Sequence, residues 1–280
     1  YPVGSCAGKL ASKFSFQLNL LPETSVGIAI IDAHAALTGS GIACAGPMLI
    51  AMGTSSCHMM IAKEQVFIEG VAGVVKDGII PGFYGYESGQ SAVGDIFAWV
   101  LNYGLPEEYY DESKKLGISL HELLIRKCID QRPGDHGLLA LDWLNGNRSV
   151  LMNSNLNGLL VGLTLNTKPE DIYRAMIEAT AFGTRLIIEG YEISGIFISE
   201  LYVCGGLTQN DLLLQIYSDI TGLDINLVAS SQTTALGAAI NGAMAAGSSE
   251  EGYDSFEEAI DKMTKPAKKV YKPHPVNQRI

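Results

Sequence analysis

Short apolar runs broken by glycine alternate along this chain with longer stretches of helical spacing. Val26–Ile31 is apolar throughout and predicts a strand that stops at Asp32, with a helix over Ala33–Ala43 behind it. Pro47–Met52 and Cys57–Ile61 are two more apolar runs, and Gly53-Thr54-Ser55-Ser56 between them reads as the turn of a hairpin. From Gly70 to Gly89 six glycines and Pro81 predict irregular backbone, followed by helices over Gln90–Tyr103 and Leu120–Asp130.

The second half is more regular. Thr167 with Glu170 three positions on fits a capping box, and Ile172, Ala175, Met176, Ala179, Phe182 and Leu186 follow at helical spacing. Leu201–Cys204 predicts a buried strand ending at Gly205-Gly206, with a helix opened by Thr208–Asn210 and running over Leu212–Thr221. A strand over Ile225–Val228, a small-residue helix over Ala235–Ala246 and a helix over Glu257–Met263 precede a tail rich in proline and lysine. The order is that of an α/β protein without internal repeats.

Composition narrows the classes. A hydrophobic content of 47% with 18% charged residues describes a folded protein, and 280 residues can bury one large core or two smaller ones. The net charge of −11 opposes nucleic-acid binding, although local backbone N–H groups can still hold a nucleotide with its Mg²⁺. No apolar run reaches the ~18 residues of a membrane span, and Leu156–Leu165 is interrupted by Gly158 and Gly162. Five widely spaced cysteines without a C-x-x-C pair point to a reducing cytoplasm rather than to disulfides or zinc. Tyr1 opens the chain in mid-pattern, which suggests that more sequence lies upstream.

Candidate chemistry sits at three glycine turns and one carboxylate. The Gly53–Ser56 turn offers backbone N–H groups and hydroxyls to an anion, or it is only a tight hairpin. Gly205-Gly206 between a strand and a helix N-terminus would suit a nucleotide, through close backbone approach and the helix dipole. Gly237 and Gly242 with their alanines are explained by close helix packing alone. Asp32 could accept a proton from an attacking hydroxyl, or could cap the helix that follows it. His34 has no second histidine four residues away, so no metal ligands are assigned. Cys57 and His58, adjacent on a strand, should face opposite sides. Neither a Walker loop nor a G-x-G-x-x-G fingerprint is present.

Four segments in order, Asp32–Ala35, Gly53–Met59, Gly158–Glu178 and Cys204–Asn210, resemble the FGGY carbohydrate kinases, and the resemblance runs from about Gly27 to Ala246. It implies an actin-like (ribonuclease-H-like) domain that forms the C-terminal half of a two-domain sugar kinase, with the active site between the domains. The first domain would precede this chain, with residues 1–31 leading into a nucleotide-binding domain at 32–265 and a tail at 266–280. The resemblance makes Asp32 the catalytic base, puts Gly53 and Thr54 on the phosphate hairpin, and assigns Gly205, Gly206 and Asn210 to adenosine, with ATP and Mg²⁺ as cofactors.

Within the family, Gly82–Asp95 is similar to the ribulokinase branch of the bacterial L-arabinose pathway. There Glu87 would accept hydrogen bonds from the hydroxyls of a ketopentose. Cys57-His58 is also similar to the D-ribulose kinases, so both ketoses stay open. Other actin-like enzymes, such as acyl kinases or chaperone-type ATPases, and a nucleotide-binding module without activity are the alternatives. A homodimer is among the assemblies that the sequence leaves open.

Overall fold

The computed structural model describes residues 1–71 and 73–279. In chain order its elements are β1 (Cys6–Lys9), α1 (Ser12–Leu18), β2 (Ser25–Gly27), α2 (Asp32–Gly39), β3 (Met48–Met52), β4 (Ser56–Ala62), β5 (Gly73–Lys76) and β6 (Tyr84–Gln90). Then come α3 (Gly94–Tyr103), α4 (Glu107–Leu116), α5 (Leu120–Cys128), β7 (Leu139–Leu141), β8 (Leu159–Val161) and α6 (Pro169–Ile193). The last are β9 (Leu201–Cys204), α7 (Asp211–Thr221), β10 (Ile225–Leu227), α8 (Thr233–Ala246), α9 (Phe256–Met263) and β11 (Lys269–Tyr271).

A seven-stranded sheet in the order β11-β10-β9-β3-β4-β6-β5 organises the chain. β3, β9 and β10 run parallel, and β4 runs against both β3 and β6. Numbered along the chain, the five inner strands therefore lie 3-2-1-4-5, with only the second reversed. This is the expected α/β, ribonuclease-H-like arrangement. Strand alternation divides the apolar residues between two faces. Met48, Ile50, Met52, Met60 and Val203 meet α3, α5, α6 and α7, whereas Leu49, Met59 and Ile61 meet α2, α8 and α9.

Gly237 has a packing role. A Cβ there would lie 1.7 Å from the carbonyl oxygen of Ala35, and one at Gly39 would lie 2.0 Å from that of Thr233. Helices α2 and α8 thus touch backbone to backbone, which fixes the direction in which α2 presents its first residue.

Several expectations change. The strand expected over Val26–Ile31 is confined to Ser25–Gly27, paired with β1, and beyond it Ile28 N–H bonds to the Ser5 carbonyl at 2.9 Å. The stretch between Gly70 and Gly89 is not irregular throughout but holds β5 and most of β6. Two of its glycines serve close packing in β6: a Cβ at Gly85 would lie 2.8 Å from Ile79, and one at Gly89 would lie 2.2 Å from the Ser56 carbonyl oxygen. Helix α3 starts at Gly94 rather than Gln90. Helix α4 was not expected, since only Tyr109 and Ser113 of its residues are buried and no apolar stripe marks it. Thr167 is not the cap of α6; Lys168 holds that position, its N–H bonded to Asp171 at 2.8 Å, while Thr167 accepts from Thr164 N–H. Residues 269–271, in the segment read as a tail, add edge strand β11 antiparallel to β10.

Candidate functional site

The β3–β4 turn is exposed at Gly53 and Thr54. Its carbonyls point inward: Gly53 accepts from Gly94 N–H at 3.0 Å and Thr54 from Val93 N–H at 2.8 Å. The turn is therefore clamped to the start of α3. Among the described residues none accepts from the N–H of Thr54 or Ser55, so these donors are free for an outside anion.

Gly205 and Gly206 follow β9 and are also exposed. Gly205 has φ +103°, and a Cβ on it would lie 2.3 Å from the carbonyl oxygen of Met52. Only glycine lets the end of β9 lie against the end of β3 in this way, and it makes the two turns one surface. A 3-10 turn over Gly206–Gln209 intervenes before α7, so the helix begins later than expected. Asn210 caps α7, its side-chain oxygen accepting from Leu213 N–H at 3.1 Å. Next to it lies a cavity of about 600 Å³ whose walls include Phe97, Ile125, Tyr173, Leu207 and Asn210. The lining also carries Ser119, His121, Glu122, Gln209 and Asp211, and apolar surface mixed with hydrogen-bonding groups suits a purine base. Another cavity of about 600 Å³, bordered by Ser40, Glu257 and Asp261, lies at the far end of α2 from Asp32 and lacks these turns.

Asp32 is not at a strand end, as expected, but is the first residue of α2, with Ile31 as the cap. Its carboxylate is exposed and accepts from Ala33 N–H at 2.7 Å. Two residues on, buried His34 brings Nε2 to 3.5 Å from Glu87 Oε2. The start of α2 is thereby set against Glu87 of β6. Glu87 Oε1 is 2.5 Å from Arg148 Nη2, and Arg148 Nη1 is 3.6 Å from Cys57 Sγ. Burial works against the Arg148 charge, but Cys57 and Glu87 outweigh it and raise its pKa further.

His58 points to the opposite face from Cys57, as the alternation of a strand requires. Thr184 Oγ1 donates to Gln90 Oε1 at 3.0 Å, which uses its only proton. The 3.2 Å bond between Thr184 and His58 Nε2 must then be donated by the imidazole. Burial, with the Arg148 charge second, holds His58 down to about 3, so it is neutral, and its Nδ1 has no partner among the described residues. Gln90 also accepts from Ser56 Oγ at 3.1 Å and donates to Asp142 Oδ2 at 2.6 Å. The foot of the turn is thus tied to α6 and to Asp142, whose carboxyl burial pushes up to about 6.

The fold unites Gly53 and Thr54 with Gly205, Gly206 and Asn210 on one side, and sets the helix that starts at Asp32 against Glu87 on the other. Arg148 and Asp142 escaped sequence reasoning because both lie in irregular segments without periodicity or motif. No group of three or more His, Cys, Asp or Glu side chains suited to a metal occurs among the described residues.

Residues 48–246 match the model of the FGGY family of carbohydrate kinases, C-terminal domain. The chain belongs to this family. FGGY relatives include ribulokinases of Geobacillus thermodenitrificans and Anoxybacillus flavithermus, 51% and 52% identical over 100% of the chain. The chain spans about half the length of these curated relatives, 50% in each case. Among solved structures, the xylulose kinase of Rhodospirillum rubrum superposes with a TM-score of 0.83 at 18% identity, over 100% of this chain and 53% of that one. The Plasmodium falciparum glycerol kinase with ADP gives 0.75 at 21% identity, over 97% and 51%. At these identities the likeness speaks for the FGGY fold alone. Among the described residues no helix is long and apolar enough to cross a membrane.

Proposed function

We infer that this chain is the nucleotide-binding half of a two-domain ketopentose kinase, with L-ribulose as the preferred substrate. The observation that carries this reading is the seat of Gly205 on Met52, which joins a turn with free N–H donors to a turn beside a cavity of mixed polarity. The ribulokinase relatives, about half identical along the whole chain, support the ketopentose. The domain begins near Asp32, and residues 1–31 connect it to a preceding domain.

Bound Mg·ATP supplies the transferred phosphoryl group. The cavity beside Gly206 and Asn210 holds the adenine, while Thr54 and Ser55 N–H groups donate to the phosphate oxygens that gain charge. Magnesium would be held chiefly by the ATP phosphates and would offset their charge. Asp32 orients a terminal hydroxyl of the ketose and takes its proton. Glu87 accepts from other hydroxyls and so reads their stereochemistry. Closure against the preceding domain excludes water and limits ATP hydrolysis. The free cysteines suit a cytoplasmic setting.

ADP release by the full-length protein, measured against L-ribulose, D-ribulose, D-xylulose and glycerol, tests this reading. L-ribulose should give the highest kcat/KM, with D-ribulose next. The highest value for xylulose or glycerol, or no dependence on ketose, would refute it. A preference for D-ribulose, the reading that Cys57-His58 favours, would keep the kinase and change the ketose.

A further inference from the structure

We propose that Arg148 is a positioning residue for the ketose: it anchors one oxygen of Glu87 so that the other is presented to sugar hydroxyls. The inference rests on the ketopentose reading above and extends it to a residue outside every motif of the sequence.

The geometry around Arg148 is built rather than incidental. Among the described residues β5 pairs with β6 from Tyr84 to Glu87, and no strand covers the outer edge at Gly89 and Gln90. The segment around Arg148 takes that place, Gly89 N–H donating to buried Ser149 Oγ at 3.1 Å. The segment is itself held in shape. Asn147 and Asn153 exchange backbone hydrogen bonds at 2.8 and 2.9 Å, and the buried Asn147 side chain accepts from Leu151 N–H at 2.8 Å. Gly70 lies so close that a Cβ on it would be 2.0 Å from the Val150 carbonyl oxygen.

From this support the guanidinium reaches across Gly89, where a Cβ would come within 3.3 Å of Arg148 Nη1. Glu87 lies two residues along the same face, and Cys57 is the cross-strand partner of Gly89. The fork therefore spans Glu87 Oε1 at 2.5 Å and Cys57 Sγ at 3.6 Å. Oε2 is left 3.5 Å from His34 Nε2, too long for a strong hydrogen bond, so it can accept a hydrogen bond from a sugar hydroxyl. A carboxylate fixed through one oxygen loses little freedom when the other binds substrate, which is how preorganisation lowers KM.

The test is a double-mutant cycle in the full-length protein, with KM and kcat measured for ketose and ATP. Arg148→Ala should raise the ketose KM about 5- to 30-fold, the effect of losing a half-buried charge partner, with the ATP KM within about 2-fold. Arg148→Lys should restore part of the loss, since a point charge replaces the fork. In a Glu87→Gln background Arg148→Ala should add less than about 3-fold, because Arg148 acts through Glu87. Should Arg148→Ala not fold, the same cycle is read with Arg148→Lys. Equal losses in both backgrounds, an unchanged ketose KM, or parallel losses for ketose and ATP would overturn the inference alone. A wild type without ketopentose-dependent turnover would overturn the ketose reading and this inference together.

Discussion

Gly205 and Met52 meet so closely that no side chain fits between them: a Cβ on Gly205 would lie 2.3 Å from the Met52 carbonyl oxygen. The contact joins the ends of β9 and β3, and with them the two turns proposed to hold adenosine and phosphate. Gly205→Ala meets two penalties, a φ of +103° and this clash. Each is of order 1–3 kcal/mol. Thermal melts of the full-length protein should show a lower Tm and little further rise with saturating ATP. A variant that melts like the parent and gains the parent's increment with ATP would show that the contact is dispensable.

Tyr109 donates to Glu170 at 2.6 Å, tying α4 to the first turn of α6. Glu170 is buried, so Tyr109→Phe leaves its carboxylate short of a partner. The expected cost is about 1–3 kcal/mol in denaturant unfolding, with ketose and ATP KM values unchanged. A loss below about 0.5 kcal/mol would mean that water replaces the tyrosine hydroxyl.

Asp142 and His58 give opposite pH dependences. Burial pushes Asp142 up to about 6, so between its ordinary range and 6 the folded state holds the extra proton and stability falls as pH rises. Burial holds His58 down to about 3, so the unfolded state takes up the proton first and stability falls as pH drops toward 3. The two largely cancel between about 4 and 6. Asp142→Asn keeps an acceptor for Gln90 and removes the buried charge. Its Tm should exceed the parent's by several degrees at pH 7–8, the scale of about 2–3 kcal/mol, and converge with it near pH 4. An equal offset at both pH values would remove Asp142 as the titrating group.

How far the sequence revealed this arrangement depends on what each element buries. The β3–β4 hairpin was legible because apolar runs flank a turn of small residues. Strand β6 was not, because Gly85 and Gly89 read as breakers although both lie under closely packed neighbours. Helix α4 buries too little to show a stripe, and β11 is only three residues long. The glycine turns were legible as turns because glycine punctuates strands and helices, whereas their part in nucleotide binding rests on the family resemblance. Arg148 was hidden because the fold brings it to Glu87 across 61 positions from an irregular loop. Asp32 lay between two readings, and its position in the first turn of α2 with an exposed carboxylate leaves it available for chemistry.

The central claim is that this exposed carboxylate acts as the base for phosphoryl transfer beside the nucleotide surface. Asp32→Asn removes the base and almost no volume, and the lost favourable charge at the start of α2 is worth only about 0.3–1 kcal/mol. The decisive measurement is ketose-dependent turnover of Asp32→Asn in the full-length protein, with ATP affinity determined on the same sample. The account predicts a loss of turnover of about 10²–10⁴-fold with ATP affinity within about 3-fold of the parent. Turnover within about 10-fold of the parent would contradict it and reduce Asp32 to a helix-stabilising residue.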